Sequence, residues 1–155
     1  MEKTKWDKIR PYTKGDLAYI WENLREDDWV ELNAAGELYP DAVEALVLPQ
    51  AAQILTWDTE GGPVAVLGVT RLDDPAVGLI WAIASVHAQP RWRFAVKNTA
   101  SLLDILGEGF TVLGNFKDSR NKAQIEWLKK LGFVFIQEHP VENDVTYLEF
   151  VRINK

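Results

Sequence analysis

The amino-acid sequence predicts one mixed α/β domain over residues 1–155, and three observations carry that reading. The patterned segments run strand, helix, helix, three strands, helix, strand, helix, strand, strand, an order that suits a mixed layer rather than a doubly wound repeat. Leu79–Val86 is nearly continuous apolar sequence, as a central strand covered on both faces requires. No internal repeat, low-complexity segment or linker interrupts the chain.

Ile9-Arg10-Pro11 reads as the end of a short first strand. The turn Tyr12-Thr13-Lys14-Gly15 follows, and Asp16 is placed to cap a helix carrying Leu17, Ile20, Trp21 and Leu24 on its inner side. Arg25, Asp28 and Glu31 recur at three-residue steps, which groups their charges if a helix continues there. Pro40-Asp41 with Glu44 has capping-box spacing and predicts a second helix to about Leu48, before Pro49. Alternation from Gln53 to Asp58, the turn Glu60-Gly61-Gly62-Pro63 and a return from Val64 to Arg71 predict a hairpin.

After the central strand, Pro90 suits the first turn of a helix. Trp92, Ala95, Val96, Thr99, Leu102, Leu103 and Leu106 follow at helical periodicity until Gly107 and Gly109. Phe110–Leu113 is the next strand, and the polar stretch after it holds Asn115 and Asn121 at the junction with a further helix. Asp118 or Ser119 is expected to cap that helix, Ile125, Trp127, Leu128 and Leu131 to line its inner side, and Gly132 to stop it. Phe133–Ile136 then fits a strand covered on both faces, and Val145–Ile153 closes the sheet.

Composition narrows the function. With 47% hydrophobic and 26% charged residues the chain is ordinary globular material, long enough to bury roughly two-thirds of its unfolded surface. It has no cysteine, which excludes disulfides, thiolate metal sites and thiol nucleophiles and suits a reducing, cytoplasmic interior. No signal-peptide pattern and no 18-residue apolar run occurs, so neither secretion nor a membrane span is expected. A net charge of −6 argues against phosphate-backbone binding and therefore against nucleic acid as a partner. His87 and His139 form no metal-ligand spacing with a carboxylate cluster, so no metal site is expected. Seven tryptophans are scattered through the chain as packing residues, with Trp29 and Trp92 set among charged neighbours.

Taken together, Ile9-Arg10-Pro11 with Asp16, the hairpin, the central strand and Asn121 through Leu131-Gly132-Phe133 resemble the GNAT (GCN5-related N-acetyltransferase) fold over nearly the whole chain. That resemblance implies a mostly antiparallel central sheet flanked by about four helices. A narrower resemblance is to the phage-encoded branch of this fold that includes the internal virion protein A of tailed phages. It is carried by Leu24-Arg25 with Asp28, Glu31 and Leu32, by Trp81 with Ser85, and by Leu113, Asn115, Phe116, Asp118, Arg120, Asn121, Trp127, Leu128, Gly132 and Phe133.

In the enzymes of the family the fourth strand splays from the fifth, the pantetheine arm of acetyl-CoA pairs with the strand edge, and the pyrophosphate rests on the next helix's N-terminus. The resemblance therefore implies Ser85, Val86, Arg91, Arg93, Asn115 and Asn121 as cofactor-binding residues. Three features depart from the pattern. His87–Phe94 contains no glycine, and Pro90 has no N–H. Leu128 stands where many members carry a tyrosine that protonates the leaving thiolate. No carboxylate lies in the central strand, which leaves His87, Asp28 and Glu31 as the catalytic candidates.

Two readings follow. One is an acyl-CoA-dependent N-acyltransferase acting on a small amine or a protein lysine, the acidic surface favouring a cationic acceptor. The other is a non-catalytic GNAT-like protein of a phage particle, of its assembly or of host interaction, with a phage or host protein as partner in the host cytoplasm or the virion.

Overall fold

A computed structural model describes residues 8–24, 26, 44, 48–141 and 145–153, and only the backbone of residues 89–96, 99 and 100. The elements are β1 (Lys8–Pro11), α1 (Asp16–Trp21), β2 (Ala51–Thr59), β3 (Gly62–Arg71), β4 (Val77–Ala84), α2 (Trp92–Leu106), β5 (Val112–Asp118), α3 (Lys122–Lys130), β6 (Val134–Val141) and β7 (Val145–Ile153). Short 3-10 helices at Leu48–Gln50 and Val86–Arg91 lead into β2 and α2. The seven strands form one sheet in the order β1-β2-β3-β4-β5-β7-β6. Every neighbouring pair is antiparallel except β4 with β5.

Period-two alternation divides the side chains between two apolar layers. Ala65, Leu67 and Val69 of β3, Ile80 of β4 and Leu113 of β5 pack with Leu102, Leu103 and Leu106 of α2, Leu128 of α3, and Phe133 and Phe150. Each of these valine, leucine, isoleucine and phenylalanine side chains contributes about 1.5–3 kcal/mol by leaving water. The other face of β2–β4 meets Leu17 and Ile20 of α1 together with Leu48, Val66 and the partly buried Trp81 and Ile83. Trp81 lies flat across its cross-strand neighbour Gly68, where an added Cβ would fall 2.2 Å from the indole, and its Nε1 donates to Thr70 Oγ1 at 3.1 Å. The two faces of the central strand are thus filled, as its apolar run requires.

Asp16 opens α1 rather than capping it. Gly15 holds the N-cap position with φ 98°, a conformation that suits glycine, and makes no side-chain cap bond. The Asp16 carboxylate points back instead. It accepts from Arg10 Nη1 and Nη2 at 2.9 and 3.0 Å, from the Thr13 N–H at 2.9 Å and from the Thr56 hydroxyl at 2.8 Å. Burial alone would raise its pKa; the Arg10 fork and the other donors outweigh that and hold it below the usual carboxylate range. Arg10 also donates to Asp58 at 2.8 Å, so one guanidinium ties β1, α1 and β2 together.

The C-terminal half corrects four expectations. β5 runs to Asp118, well past the expected end at Leu113, so Asn115 sits within a strand and not at a strand–helix junction. Neither Asp118 nor Ser119 caps α3; Asn121 occupies the N-cap, and Asp118 accepts the Arg120 N–H and its guanidinium. α2 is preceded by the 3-10 helix, so Pro90 lies before its first turn. β6 is an edge strand: Phe133 just before it is buried, but Val134 and Ile136 are 60% and 53% exposed. An apolar run there marks an exposed edge, not a covered strand. Three α-helices are present among the described residues, against about four expected. The expected helix from Pro40 and the charged face of Arg25, Asp28 and Glu31 lie outside them, except for Glu44 and Leu48.

Candidate functional site

β4 and β5 are paired over only three residues, Val77 with Val112, Gly78 with Leu113 and Leu79 with Gly114. Beyond that point β4 remains paired with β3 as far as Ala84, and β5 remains paired with β7 as far as Asp118, so the two parallel strands diverge. Asn115 stands in the throat of the opening. Its Nδ2 donates to Ile80 O at 2.7 Å and its Oδ1 accepts the Phe116 N–H at 2.6 Å.

The direction of the main-chain groups follows from two contacts. Ile80 O faces β5, because Asn115 reaches it, while the Ser85 N–H faces β3, where it donates to Val64 O at 2.9 Å. Alternation along a strand then turns the amides and carbonyls of Ala82 and Ala84 toward the opening. The end of α1 closes its far side, where Leu24 bridges Ser85 and the Val86 N–H donates to Asn23 O at 2.8 Å.

The expected site residues are brought together unevenly. Ser85 is fully buried, its amide is engaged with β3, and its Oγ accepts the His87 N–H at 3.2 Å. The Val86 side chain is exposed, but its amide is taken by Asn23. Arg91 ends the 3-10 helix and Arg93 is the second residue of α2, which puts both backbones beyond the open end of β4; their side chains are not among the described ones. His87 is exposed in the same 3-10 helix. Asn121 is buried at the start of α3, its amide bonded to Asp118 O at 3.0 Å and its carbonyl accepting from Ile125. Asp28 and Glu31 lie outside the described residues. No group of three or more His, Cys, Asp or Glu suited to a metal occurs among the described residues.

No protein-family model and no curated protein matches this sequence. Solved structures do match its shape. An Ard1 protein of Thermoplasma volcanium superposes with a TM-score of 0.75 at 15% identity, over 97% of this chain and 99% of that one. A spermidine N-acetyltransferase chimera built from the Vibrio cholerae SpeG protein gives 0.73 at 14% identity, over 96% and 95%. The AAC(6')-Ib protein in complex with an aminoglycoside and acetyl-CoA gives 0.70 at 19% identity, over 96% and 93%. The chain has the GNAT fold.

Within that GNAT frame Leu128 is a core residue, 8% exposed and packed with Leu113, Phe133 and Phe150. An undecorated strand edge and the throat asparagine are what the GNAT opening offers here. Sequence reasoning missed Ala82 and Ala84, because the phase of hydrogen bonding along a strand is set by its neighbours and leaves no mark in residue type. It also passed over His139. The His139 Nε2 lies 2.8 Å from Glu149 Oε1, and its ring meets that of Phe116 edge-on at 5.1 Å. The signal was a histidine and a glutamate ten residues apart across a polar stretch, which a hairpin makes diagonal neighbours on one face.

Proposed function

We propose that this chain is an acyl-CoA-dependent N-acyltransferase whose acceptor is a primary amine, either a small molecule or a protein lysine, with acetyl-CoA as the donor. The observation that carries the reading is the divergence of β4 from β5 after Leu79, which leaves one edge of Ile80–Ala84 without a partner strand. An amide-bearing pantetheine arm fits such an edge as an added strand would, with the N–H and C=O of Ala82 and the N–H of Ala84 as its partners. Asn115 fixes the throat and so the depth to which the thioester end reaches. Arg91 and Arg93 stand where a pyrophosphate would meet the start of α2, and side-chain guanidinium groups replace the backbone cradle that Pro90 and the lack of glycine deny. Ser85 and Asn121 support this site from within the core, Ser85 by holding the His87 amide and Asn121 by setting the start of α3.

A bound acyl-CoA supplies a thioester carbonyl activated for attack; the residues of this chain position it and the amine. Glu31, Asp28 and His87 are acceptor-side groups in this reading. Calorimetric titration with acetyl-CoA, followed by thiol release in the presence of amines, tests it; absence of binding overturns it.

The burial of Leu128 favours a second reading. A leucine in the core cannot protonate a departing thiolate, and β4 carries no carboxylate, so a binding or scaffolding protein of the phage type fits these two positions. Acetyl-CoA binding without thiol release for any amine is its signature.

A further inference from the structure

The sheet face opposite α2 and α3 carries a second group of chemically active side chains. Register places Phe116 opposite Glu149 and Asp118 opposite Tyr147 on β5 and β7, and Glu149 opposite Gln137 and Tyr147 opposite His139 on β7 and β6. All these residues therefore project from one face. Gly114, paired with Leu79, shares that face, so Phe116 is the first side chain on it beyond the last β4–β5 pair. It stands at the mouth of the opening and is 41% exposed. No helix among the described residues packs against this part of the sheet.

We infer that His139, oriented by Glu149, is the base that accepts the proton of an alkylammonium acceptor at the mouth of the β4–β5 opening; the inference rests on the acyltransferase reading. A carboxylate only accepts hydrogen bonds, so the 2.8 Å contact makes Nε2 the protonated nitrogen of the neutral ring and leaves the lone pair on Nδ1. Phe116 meets the His139 ring edge-on and restricts its plane. A base aligned by a third group is the arrangement that proton abstraction from a nucleophile needs. Both partners are partly exposed, 37% for the His139 side chain and 28% for that of Glu149, so the pair is open to a ligand. Among the described strand residues of this face the other charge, Asp118, is paired with Arg120 through a 2.6 Å contact. Glu149 and the Phe116 ring together favour a cation, as an alkylammonium is.

The ammonium gives one proton to Nδ1, leaving a neutral amine and an imidazolium. The amine nitrogen attacks the thioester carbonyl, the C–N bond forms and the C–S bond breaks. The nitrogen loses its second proton as the thiolate takes one up, and the imidazolium returns its proton to solvent.

The test compares acceptors that need a base with one that does not. Wild-type and His139→Gln proteins are assayed with acetyl-CoA and spermidine, a lysine peptide or aniline, the last being neutral at pH 7. His139→Gln is expected to lower kcat/KM at least about 100-fold for the alkylamines and to leave aniline within about threefold. Acetyl-CoA affinity and thermal stability stay unchanged. Glu149→Gln, a positioning change, gives a smaller loss confined to the alkylamines. Equal losses for both acceptor types, or none for the alkylamines, overturn the inference. So does a wild-type protein that binds acetyl-CoA but acylates no amine. If wild-type protein rejects aniline, imidazole added to His139→Ala decides: recovery of the alkylamine rate by about tenfold supports the base, and no recovery overturns it. Failure to bind acetyl-CoA removes the acyltransferase reading itself and is distinct from all of these.

Discussion

Arg10→Ala exposes how much of the N-terminal half depends on one guanidinium. The Asp16 side chain is 7% exposed and takes four donor contacts, two of them from Arg10. Alanine leaves that carboxylate with the Thr13 N–H and the Thr56 hydroxyl, no countercharge, and Asp58 without its 2.8 Å partner. Breaking a buried ion pair from one side costs roughly 3–5 kcal/mol, and the two surviving donors place this case at the lower end, about 3 kcal/mol. For a chain of this length that is a fall in Tm of about 6–12 °C. Urea unfolding followed by tryptophan fluorescence measures it directly. The loss should depend on pH with a definite sign. Asp16 is held below its ordinary pKa, so its contribution is complete above about pH 4 and disappears as the pH falls through the folded value. The gap between wild type and Arg10→Ala therefore narrows toward about pH 3. A loss under about 1 kcal/mol at pH 7, or one that is the same at both pH values, refutes this account of the cluster.

Further outcomes follow from single contacts. Gly68→Ala puts a Cβ against the Trp81 indole and should cost about 1–3 kcal/mol, read as a lower urea midpoint with an unchanged m-value. Phe133→Ala, which empties a buried site beside Phe150, should cost about 3–5 kcal/mol, whereas Ile136→Ala on the exposed edge should stay within about 0.5 kcal/mol; thermal melts compare them. Asn115→Ala removes the 2.7 Å bond across the throat and should lower stability by about 1 kcal/mol while weakening acetyl-CoA about tenfold or more, measured by calorimetry.

Element order was legible because each period is written in side-chain type. Leu102, Leu103 and Leu106 mark α2, the alternation through β2 and β3 marks the hairpin, and the run through Ile80 marks the middle of the sheet. The errors have physical causes. Asn115, Lys117 and Asp118 look like loop residues, yet β5 continues through them because β7 pairs with every one and their side chains find partners or solvent. Val134 and Ile136 look like core, yet at the sheet edge one flank lacks a strand and no described helix covers them. Asp16 has the residue type of a cap, but the Arg10 fork competes for its carboxylate and Gly15 takes the turn. At the candidate site, the apolar central strand and Asn115 were visible in the sequence, whereas Asn121 lies buried at the start of α3. The particular groups were not visible, since the pairing of His139 with Glu149 and the outward turn of Ala82 and Ala84 are products of register.

In the proposed acyltransferase the opened edge of β4 receives the pantetheine arm of an acyl-CoA. Amide signals of Ala82 and Ala84, followed by NMR while acetyl-CoA is titrated, test it most directly. Saturable binding is expected, with those two amides shifted and slowed in hydrogen exchange, while the Ser85 amide, already bonded to Val64, keeps its protection. No saturable binding up to about 1 mM, or binding that leaves both alanine amides unmoved, contradicts it.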